Sequence, residues 1–134
     1  YAMAWSPLQS RLATGDCHGN IHLHTLTSAG DAIRNETSTA SQQFQTNHSG
    51  IALNKVSIED IAWSPTEARV FASVDTAGYL SIWQDAMSRN TPRLSVKVSD
   101  TDVNVLSWNP HSSTSSLILT GDDNGVIKVW DLRY

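Results

Sequence analysis

The chain has 134 residues, 9 basic against 13 acidic side chains, a net charge of −4 and one cysteine. That is about one ordinary domain, long enough to bury a core, and it lacks the basic excess of a nucleic-acid-binding surface. No apolar run approaches the ~18 residues of a membrane helix, and Cys17 alone rules out an internal disulfide, which points to a reducing, intracellular compartment.

The first predicted element is a short strand ending at Trp5, closed by Ser6-Pro7, because proline cannot donate to a strand ladder. The opening residues do not read as a signal peptide. A second strand begins at Leu12, a turn follows through Asp16 and Gly19, and a third strand runs from Ile21 to His24. Residues 27–55 are rich in Ser, Thr, Gln and Asn and weak in hydrophobic pattern. They read as a long surface loop, with Gln43-Phe44-Gln45 as an outer strand inside it. The N-x-S/T triplets at Asn35 and Asn47 read as chance. The cycle then restarts with a strand to Trp63, Ser64-Pro65, Phe71 to Asp75, a turn at Gly78, a strand to Trp83 and an outer strand Leu94–Val98. It starts a third time with Trp108-Asn109-Pro110 and Ile118 to Asp122. Asn124-Gly125 there predicts a type I′ hairpin turn, and the last strand ends in Trp130-Asp131.

These are three copies of one unit. Leu12–His24, Phe71–Trp83 and Ile118–Trp130 align without a gap. The acids Asp16, Asp75 and Asp122 share a column, as do Gly19, Gly78 and Gly125, and the last column holds His24, Trp83 and Trp130. A small residue precedes the first tryptophan of each unit (Ala4, Ala62, Ser107), which implies close approach by a neighbouring layer. Trp63 and Trp108 stand 45 residues apart, within the roughly 40–45 of a WD repeat. The expected fold is all-β: a WD40 β-propeller fragment of about three four-stranded blades. The first is expected over about 1–46 with the long loop 27–55, the second over about 56–98, and the third over about 99–134 without its outer strand. Three blades cannot close a ring. Either further blades lie outside this stretch or two copies pair, and open blade edges are expected to self-associate.

Three runs carry a more specific resemblance: Val56-Ser57-Ile58-Glu59-Asp60-Ile61-Ala62-Trp63-Ser64-Pro65-Thr66-Glu67 with Val70–Ser73, Asp102-Val103-Asn104-Val105-Leu106-Ser107-Trp108-Asn109, and Trp5-Ser6-Pro7 with Arg11–Asp16. The chain resembles the glutamate-rich WD-repeat family of ribosome biogenesis, over nearly everything outside residues 27–55. It is similar, less closely, to the histone-binding WD proteins of chromatin assembly. The resemblance implies a nucleolar, non-enzymatic protein that escorts the large-subunit ribosomal protein uL3 into pre-60S assembly, with a link to histones. The family's acidic segment and N-terminal partner-binding helix have no counterpart in this chain.

WD blades often carry a hydrogen-bonded set: a His before the first strand, a Ser or Thr on the second, an Asp in the turn, and the Trp. Here the position before the turn glycine holds His18, Ala77 and Asn124, Ser99 stands where a His is expected, and His24 replaces a Trp. No unit has the full set, so stability is expected to rest on packing and the blades to be soft. The five tryptophans all fall in repeat columns and are expected to be core. Ser6-Pro7 and Ser64-Pro65 read as turns before phosphorylation sites.

Eight acids should gather on one propeller face: Asp16, Glu59, Asp60, Asp75, Asp100, Asp102, Asp122 and Asp123. A surface of one sign steers a basic partner, such as uL3 or a histone. Turns also favour Asp for purely local hydrogen bonds. No cofactor or metal is expected, since His18, His22, His24 and Cys17 lack the spacing of a closed zinc site. No nucleophile–base signature suggests an enzyme, and an acidic face disfavours nucleic acid.

Overall fold

The computed structural model describes residues 2–25, 40–45, 56–85, 91–111, 113 and 116–133. Its eleven strands are β1 Ala2–Trp5, β2 Arg11–Gly15, β3 Asn20–Thr25, β4 Ala40–Gln45, β5 Ile58–Trp63, β6 Val70–Asp75, β7 Tyr79–Gln84, β8 Leu94–Lys97, β9 Val103–Trp108, β10 Leu117–Asp122 and β11 Ile127–Asp131. They form three antiparallel meanders, β1-β2-β3-β4, β5-β6-β7-β8 and β9-β10-β11. The first strands β1, β5 and β9 lie beside one another, so the sheets stand as successive blades of a propeller. The expected outer strand at Gln43–Gln45 falls within β4, and that at Leu94–Val98 coincides with β8 to within one residue. The rest of the expected loop over residues 27–55, with Asn35 and Asn47, lies outside the described residues.

Strand periodicity sends alternate side chains to opposite faces, and here both faces of the middle blade are covered. Every residue of β6 is buried. Phe71 faces the first blade, in a cluster with Ala13, Ile21, Leu23, Ile58, Ile61, Trp63 and Trp83. Val70, Ala72 and Val74 face the third, with Leu80, Ile82, Val103, Leu106 and Ile118. Phe71 lies between its cross-strand neighbours Trp63 and Trp83, with ring centroids 5.1 and 6.2 Å away. Such pairs add about 0.5–1.5 kcal/mol each beyond the area they bury. In the first blade the same three columns hold Trp5, Leu12 and His24, and in the third Trp108, Ile118 and Trp130, so the complete aromatic row belongs to the middle blade alone.

The expectation that all five tryptophans are core holds for Trp63 and Trp83 and partly for Trp108 and Trp130. It fails for Trp5, which is 59% exposed. Trp63 points back at the first blade and donates from Nε1 to the Ala4 carbonyl at 2.9 Å. Trp108 likewise packs on the second blade beside Ala62. Trp5 points the same way, toward a side where no strand lies among the described residues.

The hairpin turns also differ from expectation. Gly125 N donates to Asp122 O at 3.0 Å and Asp122 N to Val126 O at 3.1 Å. The loop therefore holds three residues, 123–125, with a positive-φ glycine last, and Asn-Gly is not the centre of a two-residue type I′ turn. The first blade closes its turn with the matching Asp16 N to Asn20 O bond, and the second with Gly78 N to Asp75 O. Gly78 has φ +85°, and a Cβ there would lie 2.0 Å from the Ser99 carbonyl oxygen; Gly125 has φ +76° with open space around it.

That contrast is testable. Gly125→Ala should cost only the left-handed backbone penalty, about 1–2 kcal/mol. Gly78→Ala should add the displacement of Ser99, for a total of about 2–5 kcal/mol. Urea unfolding of the two variants measures the difference, and equal losses would mean that Ser99 gives way freely.

Candidate functional site: the acidic end of the blades

The antiparallel register brings the ends of β2, β6 and β10 and the starts of β5 and β9 to one end of the molecule. Ala2 pairs with Gly15, Ile58 with Asp75, and Val103 with Asp122. A cross-blade bond joins this end, Ile58 N donating to Asp16 O at 3.0 Å, and within the third blade Asp123 N, in the β10–β11 turn, donates to Asp102 O at 2.9 Å. All eight acids singled out from the sequence lie here.

They fall into two groups. Asp16, Asp75 and Asp122 lock the three turns in the same manner. Each Oδ1 accepts the backbone N–H groups two and four residues on: His18 and Asn20, Ala77 and Tyr79, Asn124 and Val126, at 2.8–3.1 Å. Asp75 is only 1% exposed, so it adds charge to this end but almost no surface. Asp60 is the fourth committed carboxylate. Its Oδ2 accepts the Leu106 N–H at 2.9 Å and so ties β5 to β9, while Oδ1 accepts the N–H of Ile61.

Of the other four, Asp100 and Asp123 are exposed and Glu59 and Asp102 half-buried. Glu59 is the extra residue of a β-bulge, where Ile58 pairs with Asp75 and Asp60 already with Val74. Asn104 occupies the matching bulge of β9, and its Nδ2 donates to Asp123 Oδ1 at 2.6 Å. The Asp100 side chain is 98% exposed, with Lys97 Nζ at 3.8 Å, and Asp102 follows it in the same loop. An exposed pair of that length leaves the carboxylate free to exchange partners.

Ser99 stands where a histidine was expected, yet the network closes. Its hydroxyl donates to Asp122 Oδ2 at 2.8 Å and accepts the Thr101 N–H at 3.1 Å. Lys128 reaches past it to the Val98 carbonyl at 2.5 Å. The Ser/Thr–Trp part of the set is present as well: Trp83 Nε1 donates to Ser73 Oγ and Trp130 Nε1 to Thr120 Oγ1, both at 2.9 Å. In the first blade His24 Nε2 lies 3.0 Å from Thr14 Oγ1 and fills the indole's place. More of the set is present than the sequence suggested: each blade keeps the strand-two hydroxyl bond, and the turn acid sits three residues before the glycine rather than one. That recurring Asp-x-x-Gly spacing was the available signal.

Hydrogen bonding shifts two of these carboxyls. Burial pushes Asp16 up, but bonds from the Asn20 side chain, the Asn20 and His18 N–H groups and the nearby His22 outweigh it, and the net shift is downward. The Ser99 hydroxyl, with the Val126 and Asn124 N–H groups and Lys128, holds Asp122 low. His22 lies 3.8 Å from Asp16, and no group of three or more metal-ligating side chains gathers among the described residues.

The opposite end carries the described arginines, Arg11, Arg69, Arg93 and Arg133. Arg11 pairs with Asp85 across the first two blades, and Arg133 with its neighbour Asp131. Ser6 and Ser64, both buried, use their hydroxyls there to cap the Pro turns, accepting N–H groups of Leu8 and of Thr66 and Glu67. A depression of about 210 Å³ between the second and third blades is lined by Ser64, Glu67, Arg93, Trp108 and Arg133.

Residues 91–131 match the WD domain, G-beta repeat family model. The chain is a WD40 repeat domain. The matched segment begins with β8, the outer strand of the second blade, and continues through all three strands of the third. WD40 domains mediate protein interactions, and the proteins that carry them are generally scaffolds. Among curated relatives, this WD40 domain is 39% identical over 77 residues (57% of the chain) to the WD-40 repeat-containing protein MSI4 of Arabidopsis thaliana. It is 37% identical over 108 residues (80% of the chain) to the ribosome assembly protein rrb1 of Schizosaccharomyces pombe. It is 35% identical over 98 residues (72% of the chain) to the glutamate-rich WD repeat-containing protein 1 of Dictyostelium discoideum. It spans 15%, 20% and 17% of their respective lengths.

A carboxyl whose folded pKa is depressed contributes stability above its unfolded value, near ~3.9, and loses it as pH falls through the folded value. The domain should therefore hold a flat thermal midpoint between neutral and mildly acidic pH with respect to Asp16 and Asp122, then lose stability below about pH 4. NMR titration should place both carboxyl midpoints below the ordinary value. Ser99→Ala should move that of Asp122 upward, and an unmoved midpoint would contradict the assigned cause.

Proposed function

We propose that this WD40 domain belongs to a non-enzymatic scaffold or chaperone of large-subunit ribosome assembly, working in the nucleus and its nucleolus, and that its acidic end receives a basic protein client. The observation that supports this most is the group of solvent-reachable carboxylates Glu59, Asp100, Asp102 and Asp123, two exposed and two half-buried, held at one end by bulges and turns that other acids lock. A rigid frame fixes the spacing of charges that solvent and a partner can reach. The 37% identity to a ribosome assembly protein supports that cellular setting. The ribosomal protein uL3 is the client that the resemblance implies, and a histone is the competing one.

Titration of this domain with uL3 and with histones H3–H4 in competition tests the choice; tighter binding of histones moves the domain to chromatin assembly. In either case affinity should fall steeply with added salt. Reversing Glu59, Asp100, Asp102 and Asp123 to Lys together should weaken client binding by well over tenfold, mainly through the association rate, while leaving the fold intact. An unchanged affinity would remove the acidic end from the mechanism.

A further inference from the structure

The two internal blade junctions differ at the arginine end. Between the first and second blades Arg11 pairs with Asp85, and Arg69 is close enough to act on the Arg11 charge. The repeat columns put Val70 in the place of Arg11 and Leu132 in that of Asp85. Main-chain bonds bear out the match. Ser6 N donates to Arg11 O and Ser64 N to Val70 O, while Asp85 N donates to Arg69 O and Leu132 N to Ser116 O, all at 2.8–2.9 Å. Ser116 therefore stands where Arg69 does. Two arginines and an aspartate give way to a valine, a serine and a leucine, and the depression of about 210 Å³ lies at that place.

Its buried and half-buried apolar lining is Val70, Ile82, Trp108 and Leu132. The volume exceeds the ~150 Å³ of an apolar cavity that takes benzene, so one branched or ring side chain fits. The exposed lining carries Arg93, Leu94 and Arg133, with Glu67 as the carboxylate among them. Charge selects what accompanies the apolar group. Asp85 and Asp131 at this end are already paired, with Arg11 and Arg133. Arg93 makes no ion pair among the described residues, and its main-chain N–H, fixed on Ile82 O at 2.7 Å, holds it at the lip. The eight acids at the far end repel a further carboxylate, so an acidic ligand is steered here.

We propose that this depression receives a linear peptide segment of a protein partner, with a bulky apolar side chain seated among Val70, Ile82, Trp108 and Leu132 and a neighbouring aspartate or glutamate on the Arg93 guanidinium. A planar guanidinium suits a carboxylate because it can donate two parallel N–H bonds. This is a second docking site, at the opposite end from the acidic one, and it does not rest on the client reading given above.

A random peptide library, selected on the immobilised full chain, should yield a class of sequences that join a bulky apolar residue to a neighbouring Asp or Glu. Fluorescence titration of those peptides then reads each variant. Arg93→Glu alters an exposed side chain, so it should keep its circular dichroism and weaken the peptides at least about tenfold, as loss of a charge-assisted bond does. Arg93→Lys should restore part of that loss. Arg69→Glu, at the same end but outside the depression, should cost far less. Val70→Arg with Leu132→Asp copies the ion pair of the first junction and should abolish binding by filling the seat. If that double change unfolds the domain, the Arg93 variants decide alone. Reversing Glu59, Asp100, Asp102 and Asp123 to Lys should not weaken these peptides, which separates this site from the acidic end. The proposal is overturned if no such class is selected, if Arg69→Glu and Arg93→Glu cost the same, or if the acidic-end reversal removes binding.

Discussion

The second strand of the middle sheet has no solvent face. Each residue of β6 is enclosed, and the strand's alternation serves two different neighbours, with Phe71 on one side and Val70, Ala72 and Val74 on the other. A sheet of this kind cannot be stable alone, because its hydrophobic stabilisation comes entirely from surfaces that adjacent sheets supply. The small residues before the first tryptophans follow from this. Ala4 and Ala62 let an indole from the next blade come within hydrogen-bonding reach of the main chain, as Trp63 does at 2.9 Å.

Polar groups at the strand ends do a second kind of work. Asp60 crosses from β5 to the backbone of β9, and Ser99 joins the loop before β9 to the turn after β10 through Asp122. These bonds set the spacing at the end where the blades' loops meet. The same residue type therefore appears there in two roles. Asp16, Asp75 and Asp122 are consumed by turn geometry, and Asp100 and Asp123 stay exposed on the frame that geometry fixes.

Much of this was legible beforehand. The repeat columns located strands, turns and the register of the three units, because periodicity and glycine placement are local properties. The gathering of acids at one end followed from topology. What could not be read was which acid does what. Asp75 and Asp100 look alike in sequence, yet one is enclosed in a turn and the other is fully exposed beside Lys97. Trp5 shows a related limit: a column tells which way a side chain points, and only the neighbours decide whether anything covers it. The Asn124-Gly125 pair suggested a two-residue turn, but the Asp three residues before the glycine favoured a longer loop that it could cap with two N–H bonds.

The sequence repeat and the folded sheet are out of step. The segment that matches one WD repeat, residues 91–131, places its first strand in the sheet of the second blade and its remaining three in the next. Duplicating such a segment in a gene would therefore insert no free-standing module. Each new copy would complete the sheet before it and leave its own sheet to be completed by the copy after. Arrays built this way gain or lose blades in whole steps without redrawing a boundary, whereas a cut at a repeat boundary always strands one β-strand from its sheet.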